Sequence, residues 1–214
     1  MSAEIVFARH GNTFGPGDKV VWVGRETDAP LVDKGLEQAH AAAAALARSG
    51  RIPTAIWHGS LSRTRTFAAI VAEDLGLAVT PRQDDRLDEI DYGAWAGLTQ
   101  DEIAAQPGGP ALLEAWSQRD QWPEAAGWVT TRAGMLAQVT GFARDVLAAA
   151  GTGERLLVVS SNGVLRFFPR QLAARPAPGI ERASYVMKTG HLGLARRAGE
   201  GWDLLAWNDK PESW

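Results

Sequence analysis

The run Leu156-Leu157-Val158-Val159 constrains this chain more than any other stretch. A continuous apolar tetrapeptide reads as a strand buried on both faces, as in a parallel sheet. Such a strand needs helical layers above and below it, and strand-like and helix-like segments alternate along the chain. Ile5-Val6-Phe7-Ala8 and Ala55-Ile56-Trp57 are further buried strands, and residues 77–80 are expected to form a short third one. Asp33 offers an N-cap to a helix carrying Leu36, Ala39, Ala43, Leu46 and Ala47, which Ser49-Gly50 stops. A second helix carries Phe67, Ile70, Val71 and Leu75 up to Gly76, and a third spans 131–150. Ser160-Ser161-Asn162-Gly163 turns the strong strand into a further helix, which Pro169 must kink or shorten. Residues 191–197 and 202–207 close the chain as two strands joined by Gly199-Glu200-Gly201. The expected fold is α/β, a three-layer sandwich with a mainly parallel central sheet flanked by helices.

The 214 residues suit one domain, spanning 1–214. An insertion at about 99–129, rich in Gly, Pro and Trp, is expected to lie over it. The net charge of −3 and the lack of a basic tail argue against nucleic acid as a partner. The first ten residues mix an acid, an arginine and a histidine with a short apolar run, unlike a signal peptide. No apolar run approaches bilayer length, so no membrane partner and a cytoplasmic location are expected. The absence of cysteine excludes disulfides, thiolate metal sites and cysteine nucleophiles. There are nine tryptophans against two tyrosines, and Trp116, Trp122 and Trp128 fall in the insertion. Oligomeric state has no readable signal.

In open α/β sheets ligands bind beyond the carboxyl ends of the strands. Three such ends carry polar residues here: Arg9-His10 after the first strand, His58 to Arg63 after the second, and Ser160 to Asn162 after the strong one. A histidine whose one nitrogen is fixed by a backbone carbonyl presents the other as a nucleophile. Arg63, on the first turn of a helix, suits a tetrahedral anion through its planar fork. Most of the five acids between Asp84 and Asp91 read as a solvated face. One of them beside a bound phosphate would have its pKa raised, as a proton donor needs. Phosphate-loop, dinucleotide and serine-elbow motifs are absent.

Arg9-His10-Gly11-Asn12-Thr13, Leu31-x-x-x-Gly35-x-x-Gln38-Ala39, Leu61-x-Arg63-Thr64 and Leu87-x-Glu89-x-x-x-Gly93-x-Trp95-x-Gly97 occur in that order. Together they resemble the histidine phosphatase superfamily, also called phosphoglycerate mutase-like. The resemblance implies a phosphomonoester hydrolase acting on a small phosphorylated metabolite, without cofactor or metal. It assigns the nucleophile, which becomes phosphohistidine, to His10, and the phosphoryl clamp to Arg9 and Arg63. It assigns the proton donor to Glu89. Asn12 and Thr13 sit where the family's loop approaches phosphate, and Arg25 is a weaker contact.

One departure stands out. The family's second histidine follows the strong strand as Ser-His-Gly-Gly or a close variant, and here Ser161 takes its place. Asn162 stands at the first glycine, a position Asn fills in a left-handed backbone. Loss of one such donor typically costs about 10²–10³ in rate. Ser161 and Asn162 are themselves donors, and His191 is a further group expected to reach inward. Phosphoglycerate mutase-type transfer and a non-catalytic phospho-ligand binder are the alternatives. Specificity is expected in the loop at 15–30 and in the insertion.

Overall fold

The computed structural model describes residues 2–180 and 183–214. Its seven-stranded sheet is built from β1 (Glu4–Arg9), β2 (Ala55–His58), β3 (Arg82–Gln83), β4 (Arg155–Ser160), β5 (Arg175–Pro176), β6 (Leu192–Ala198) and β7 (Gly201–Asp209). The spatial order is β3-β2-β4-β1-β6-β7-β5. β1, β2, β3 and β4 pair in parallel, while β6 runs antiparallel to both β1 and β7.

Alternation along the central strands separates two cores. Ile5, Phe7, Leu156 and Val158 face one way, toward α5 (Arg132–Phe142) and α7 (Phe168–Gln171). Val6, Ala8, Leu157 and Val159 face the other, toward α1 (Asp33–Arg48) and α2 (Ser62–Asp74). All eight are at most 5% exposed, so β1 and β4 are apolar on both faces.

Several boundaries differ from the sequence expectation. The third strand forms at Arg82–Gln83 and not at 77–80, because Leu77 and Val79 pack onto the α1–α2 core instead of pairing. Asp33 is the first residue of α1; Val32 occupies the cap position and offers no side-chain bond. The helix expected over 131–150 starts at a Thr131 cap, whose hydroxyl accepts from the Gly134 N–H. It ends at Phe142 and continues as a π-turn over Ala143–Leu147. Pro169 begins α7 rather than kinking α6 (Asn162–Leu165), the first-turn position where its missing N–H costs nothing.

Residues 99–129 contain α3 (Gln100–Ala104), started by a Thr99–Glu102 capping box, and α4 (Gly109–Arg119). Trp116, Trp122 and Trp128 join Trp22, Tyr92 and Trp95 in one aromatic cluster with centroid separations of 4.9 to 6.3 Å. Most of the pairs are edge-to-face, each contributing about 0.5–1.5 kcal/mol beyond the area it buries. The cluster fastens the segment to the carboxyl edge of the sheet.

Candidate active site

Parallel pairing places the ends of β1, β2 and β4 side by side. Arg9 stands opposite Ser160, and the His10 N–H donates to the Ser160 carbonyl at 3.1 Å. Gly11 packs directly on α1, where a Cβ would lie 2.3 Å from the Gly35 carbonyl. This close approach holds the loop after β1 under the sheet edge. Gln38 of α1 completes it: its Oε1 accepts from the Asn12 N–H at 2.8 Å and its Nε2 donates to the Thr189 carbonyl at 3.1 Å.

His10 is buried, and its Nδ1 lies 2.7 Å from the Gly11 carbonyl. A carbonyl only accepts, so Nδ1 carries the proton and Nε2 keeps its lone pair. Burial, with Arg9 and Arg63 nearby, holds the ring well below the ordinary imidazole value. The histidine is therefore kept neutral, as a nucleophile requires.

Arg63 is 2% exposed and donates to the Thr27 and Gly24 carbonyls at 2.9 and 3.2 Å. Arg9 donates through Nη1 to the Met187 carbonyl at 2.8 Å, while its buried Nε has no hydrogen-bond partner. Backbone carbonyls thus aim both guanidiniums without neutralising them.

Glu89 is buried and accepts from the N–H groups of Ile90 at 2.9 Å and Gly163 at 3.3 Å, and from the Tyr92 hydroxyl. Burial still raises its pKa, against the opposing pull of these bonds and of Arg63 and Arg9. It is poised as an acid beside a neutral histidine. Gly163 makes the approach possible, since a Cβ there would meet Glu89 Oε1 at 2.2 Å and the Tyr92 hydroxyl at 2.7 Å.

Two cavities meet at these residues. One, of about 320 Å³, is lined by Arg9, His10, Asn12, Thr13, Arg63 and Glu89 among others. The second, of about 720 Å³, shares Arg9, Glu89, Val20, Val21 and Val23 with the first and extends beneath α3 and α4. Six of the residues singled out in the sequence therefore converge.

The other four do not. The Arg25 side chain turns to Asp88 and Glu26, each at 3.7 Å, and lines neither cavity. Ser161 is 1% exposed, lines neither cavity, and its hydroxyl has no partner. Asn162 lines the larger cavity, not the one holding His10; its backbone is helical, not left-handed. His191 faces a separate groove beside Lys34 and Lys210, its Nδ1 held 2.8 Å from the Asn208 carbonyl. Its place at the start of β6 fixes that direction, so it does not reach inward.

The acidic segment is mostly structural rather than solvated. Asp84 pairs with Arg86, Asp88 accepts from the Ser60 N–H and hydroxyl at 2.6 and 2.8 Å, and Asp91 accepts from Gly93 N–H. Among the described residues no group of three His, Asp or Glu side chains is placed to hold a metal ion. Arg166 was not visible as a site residue, although it stands four positions after Asn162, the spacing that puts two helical residues on one face.

A family model for the histidine phosphatase superfamily, branch 1, matches residues 5–210. The chain belongs to that superfamily. It is 29% identical over 220 residues to a glucosyl-3-phosphoglycerate phosphatase of Mycolicibacterium vanbaalenii, covering 96% of this chain and 94% of the relative. A 2,3-bisphosphoglycerate-dependent phosphoglycerate mutase of a Methylobacterium species is 28% identical, over 85% of this chain and 87% of the mutase. The crystal structure of a mycobacterial glucosyl-3-phosphoglycerate phosphatase with VO3 superposes with a TM-score of 0.72 at 25% identity, covering 97% of this chain and 99% of that one. Among the described residues no helix is long and apolar enough to cross a membrane.

Proposed function

We propose that this histidine phosphatase hydrolyses a small phosphorylated metabolite through a phosphohistidine on His10. The convergence of a neutral, buried His10 with Arg9, Arg63 and a buried, protonated Glu89 around one cavity carries the reading. His10 Nε2 attacks phosphorus and the P–O bond to the leaving group breaks. Glu89 gives its proton to the departing oxygen, so the alcohol leaves neutral. The carboxylate then takes a proton from water as that water attacks the phosphohistidine, releasing phosphate and restoring both residues. Arg9 and Arg63 hold the phosphoryl oxygens throughout, and no step requires a metal or cofactor.

Asn12 and Thr13 add contacts to the same oxygens. Residues 99–129 roof the larger cavity, which receives the body of the ester. The phosphatase relatives act, by name, on a phosphorylated glycerate carrying a glucosyl group, and a cavity of about 720 Å³ accommodates a body of that size.

Rapid quenching with a phosphorus-labelled aryl phosphate should trap acid-labile label on His10. His10→Ala should abolish both label and turnover. Inorganic phosphate as product identifies hydrolysis, and an isomeric phosphate ester would identify mutase-type transfer. Turnover unaffected in His10→Ala would overturn the proposal.

A further inference from the structure

We infer that Asn162 and Arg166 form a recognition wall for a carboxylate on the body of the substrate. The inference rests on the reading of the His10 cavity as the phosphoryl site. An ester whose phosphoryl group lies against His10 must place its remaining atoms in the larger cavity, through the shared border of Arg9 and Glu89. Arg166 and Asn162 line that larger cavity.

Arg166 is a cation at 2% exposure. Its guanidinium lies 3.8 Å from the centroid of the Trp116 ring, which holds it flat. Nε donates to the Asn162 carbonyl at 3.4 Å, and Nη1 donates to the Trp116 carbonyl at 2.7 Å and approaches Asp120 at 3.2 Å. Nη2 has no hydrogen-bond partner among the described residues. The charge of Arg166 is close enough to act on Arg9, Tyr92 and Glu89.

Asp120 does not cancel that charge. It also pairs with Arg170 and accepts from the Ser184 hydroxyl at 2.6 Å and the Tyr185 N–H at 2.8 Å. Two guanidiniums share one carboxylate, leaving one net positive charge largely out of water. Asn162 presents a donor as well. Its Oδ1 accepts from the Met187 N–H at 2.9 Å, so its Nδ2 is left for the cavity.

Both side chains therefore offer donors and no free acceptor, beside an excess positive charge. A carboxylate has two acceptor oxygens and a single negative charge, and it matches this wall. A hydroxyl in its place would leave the charge uncompensated, and a dianionic second phosphate would exceed it. The preferred substrates are phosphate esters of hydroxy acids.

The test compares 3-phosphoglycerate with glycerol 3-phosphate, which share a carbon skeleton and differ in a carboxylate against a hydroxymethyl group. Wild-type kcat/KM should favour the acid by about ten- to a hundredfold, the effect of a charge-assisted hydrogen bond. Arg166→Gln should bring the ratio toward one. Arg166→Lys, which keeps the charge but not the fork, should fall between, and Asn162→Ala should lower the ratio with Arg166 intact. A wild-type ratio near one overturns the inference, as does an equal loss on both esters in every folded variant.

Calorimetric binding of the same two esters to His10→Ala gives the contrast without turnover. A preference for the acid there that Arg166→Lys or Asn162→Ala diminishes supports the wall, and equal binding overturns it. Failure of the phosphatase reading shows separately, as wild-type turnover that does not depend on His10.

Discussion

Gly163→Ala is the sharpest test of the acid. A Cβ at 163 would lie 2.2 Å from Glu89 Oε1, 2.7 Å from the Tyr92 hydroxyl and 2.8 Å from Ile90 Cδ1. Ordinary contact needs about 3.5 Å, so the carboxyl must retreat by about 1 Å. Gly163 lies in α6 with ordinary helical backbone, where alanine is favoured over glycine by about 1 kcal/mol. Overpacking costs about 1–3 kcal/mol, so the net loss of stability should be small. Catalysis should suffer more, because a displacement of about 1 Å in a catalytic group can cost about 10²-fold. The loss should depend on the leaving group. An alkyl phosphate departs as a basic alkoxide and needs the proton, whereas an aryl phosphate with an acidic phenol scarcely does. The expected outcome is a fall of about 10²-fold in kcat on the alkyl ester, less than about tenfold on the aryl ester, and a nearly unchanged Tm. Glu89→Gln should show the same leaving-group dependence, and the double variant should be little worse than either single one. An equal fall on both esters, or no fall in a folded protein, would refute the reasoning.

Turnover needs His10 unprotonated and Glu89 protonated, so kcat/KM should rise on an acid limb below the ordinary imidazole range and fall on an alkaline limb above the ordinary carboxylate range. Glu89→Gln should remove the alkaline limb of the residual aryl phosphatase activity. The lowered His10 pKa also bears on stability, since the unfolded chain takes up the proton first. Its contribution is complete above the unfolded imidazole value and is lost as pH falls from there toward the folded one, which denaturant titration across that window should show. Ser161→Ala should change kcat by less than about threefold and raise stability by up to about 1 kcal/mol, because it deletes a buried, unpartnered hydroxyl; a tenfold fall in kcat would show that the hydroxyl reaches the phosphoryl group. Arg63→Ala should cost about 10²–10³ in kcat/KM, whereas Arg25→Ala and His191→Ala should stay within about threefold, as measured with the aryl phosphate.

The layers were legible because apolar alternation and strand-end polarity are local properties of the chain. Ile5 to Ala8 and Leu156 to Val159 declare both faces of their strands, and the residues just beyond β1, and those opening α2, meet at one sheet edge by topology alone. β3 and β5 were not legible: each is a two-residue edge pairing whose register depends on its neighbour. The direction of a side chain was harder still. His191 and His10 both sit at strand ends, yet β6 runs opposite to β1, and a carbonyl of β7 orients the His191 ring over a different groove. Asp88 looked like part of a solvated acidic face because its partner, Ser60, is distant in sequence. Arg166 was hidden for the same reason, since its ring partner and its counter-ion come from the 99–129 segment.

The change after β4 is better described as a rebuilt wall than as a lost histidine. Ser161 removes a ring and contributes nothing to either cavity, but the neighbouring Asn162 adds a contact that a glycine lacks. Asn162 Oδ1 accepts from the Met187 N–H, and the Met187 carbonyl accepts from Arg9 Nη1. A single residue thus ties the phosphoryl clamp at the end of β1 to the first residue of α6. Arg166 extends the same helical face into the larger cavity and is itself held by Trp116 and Asp120. Arg9, at the border of both cavities, is the group through which the two would communicate. An anion bound against Arg166 draws on the same region of positive potential that lowers the His10 pKa through Arg9. The carboxylate of a bound hydroxy-acid ester should therefore raise the His10 pKa and move the acid limb of kcat upward relative to that for glycerol 3-phosphate. Identical acid limbs for the two esters would mean that the cavities act independently.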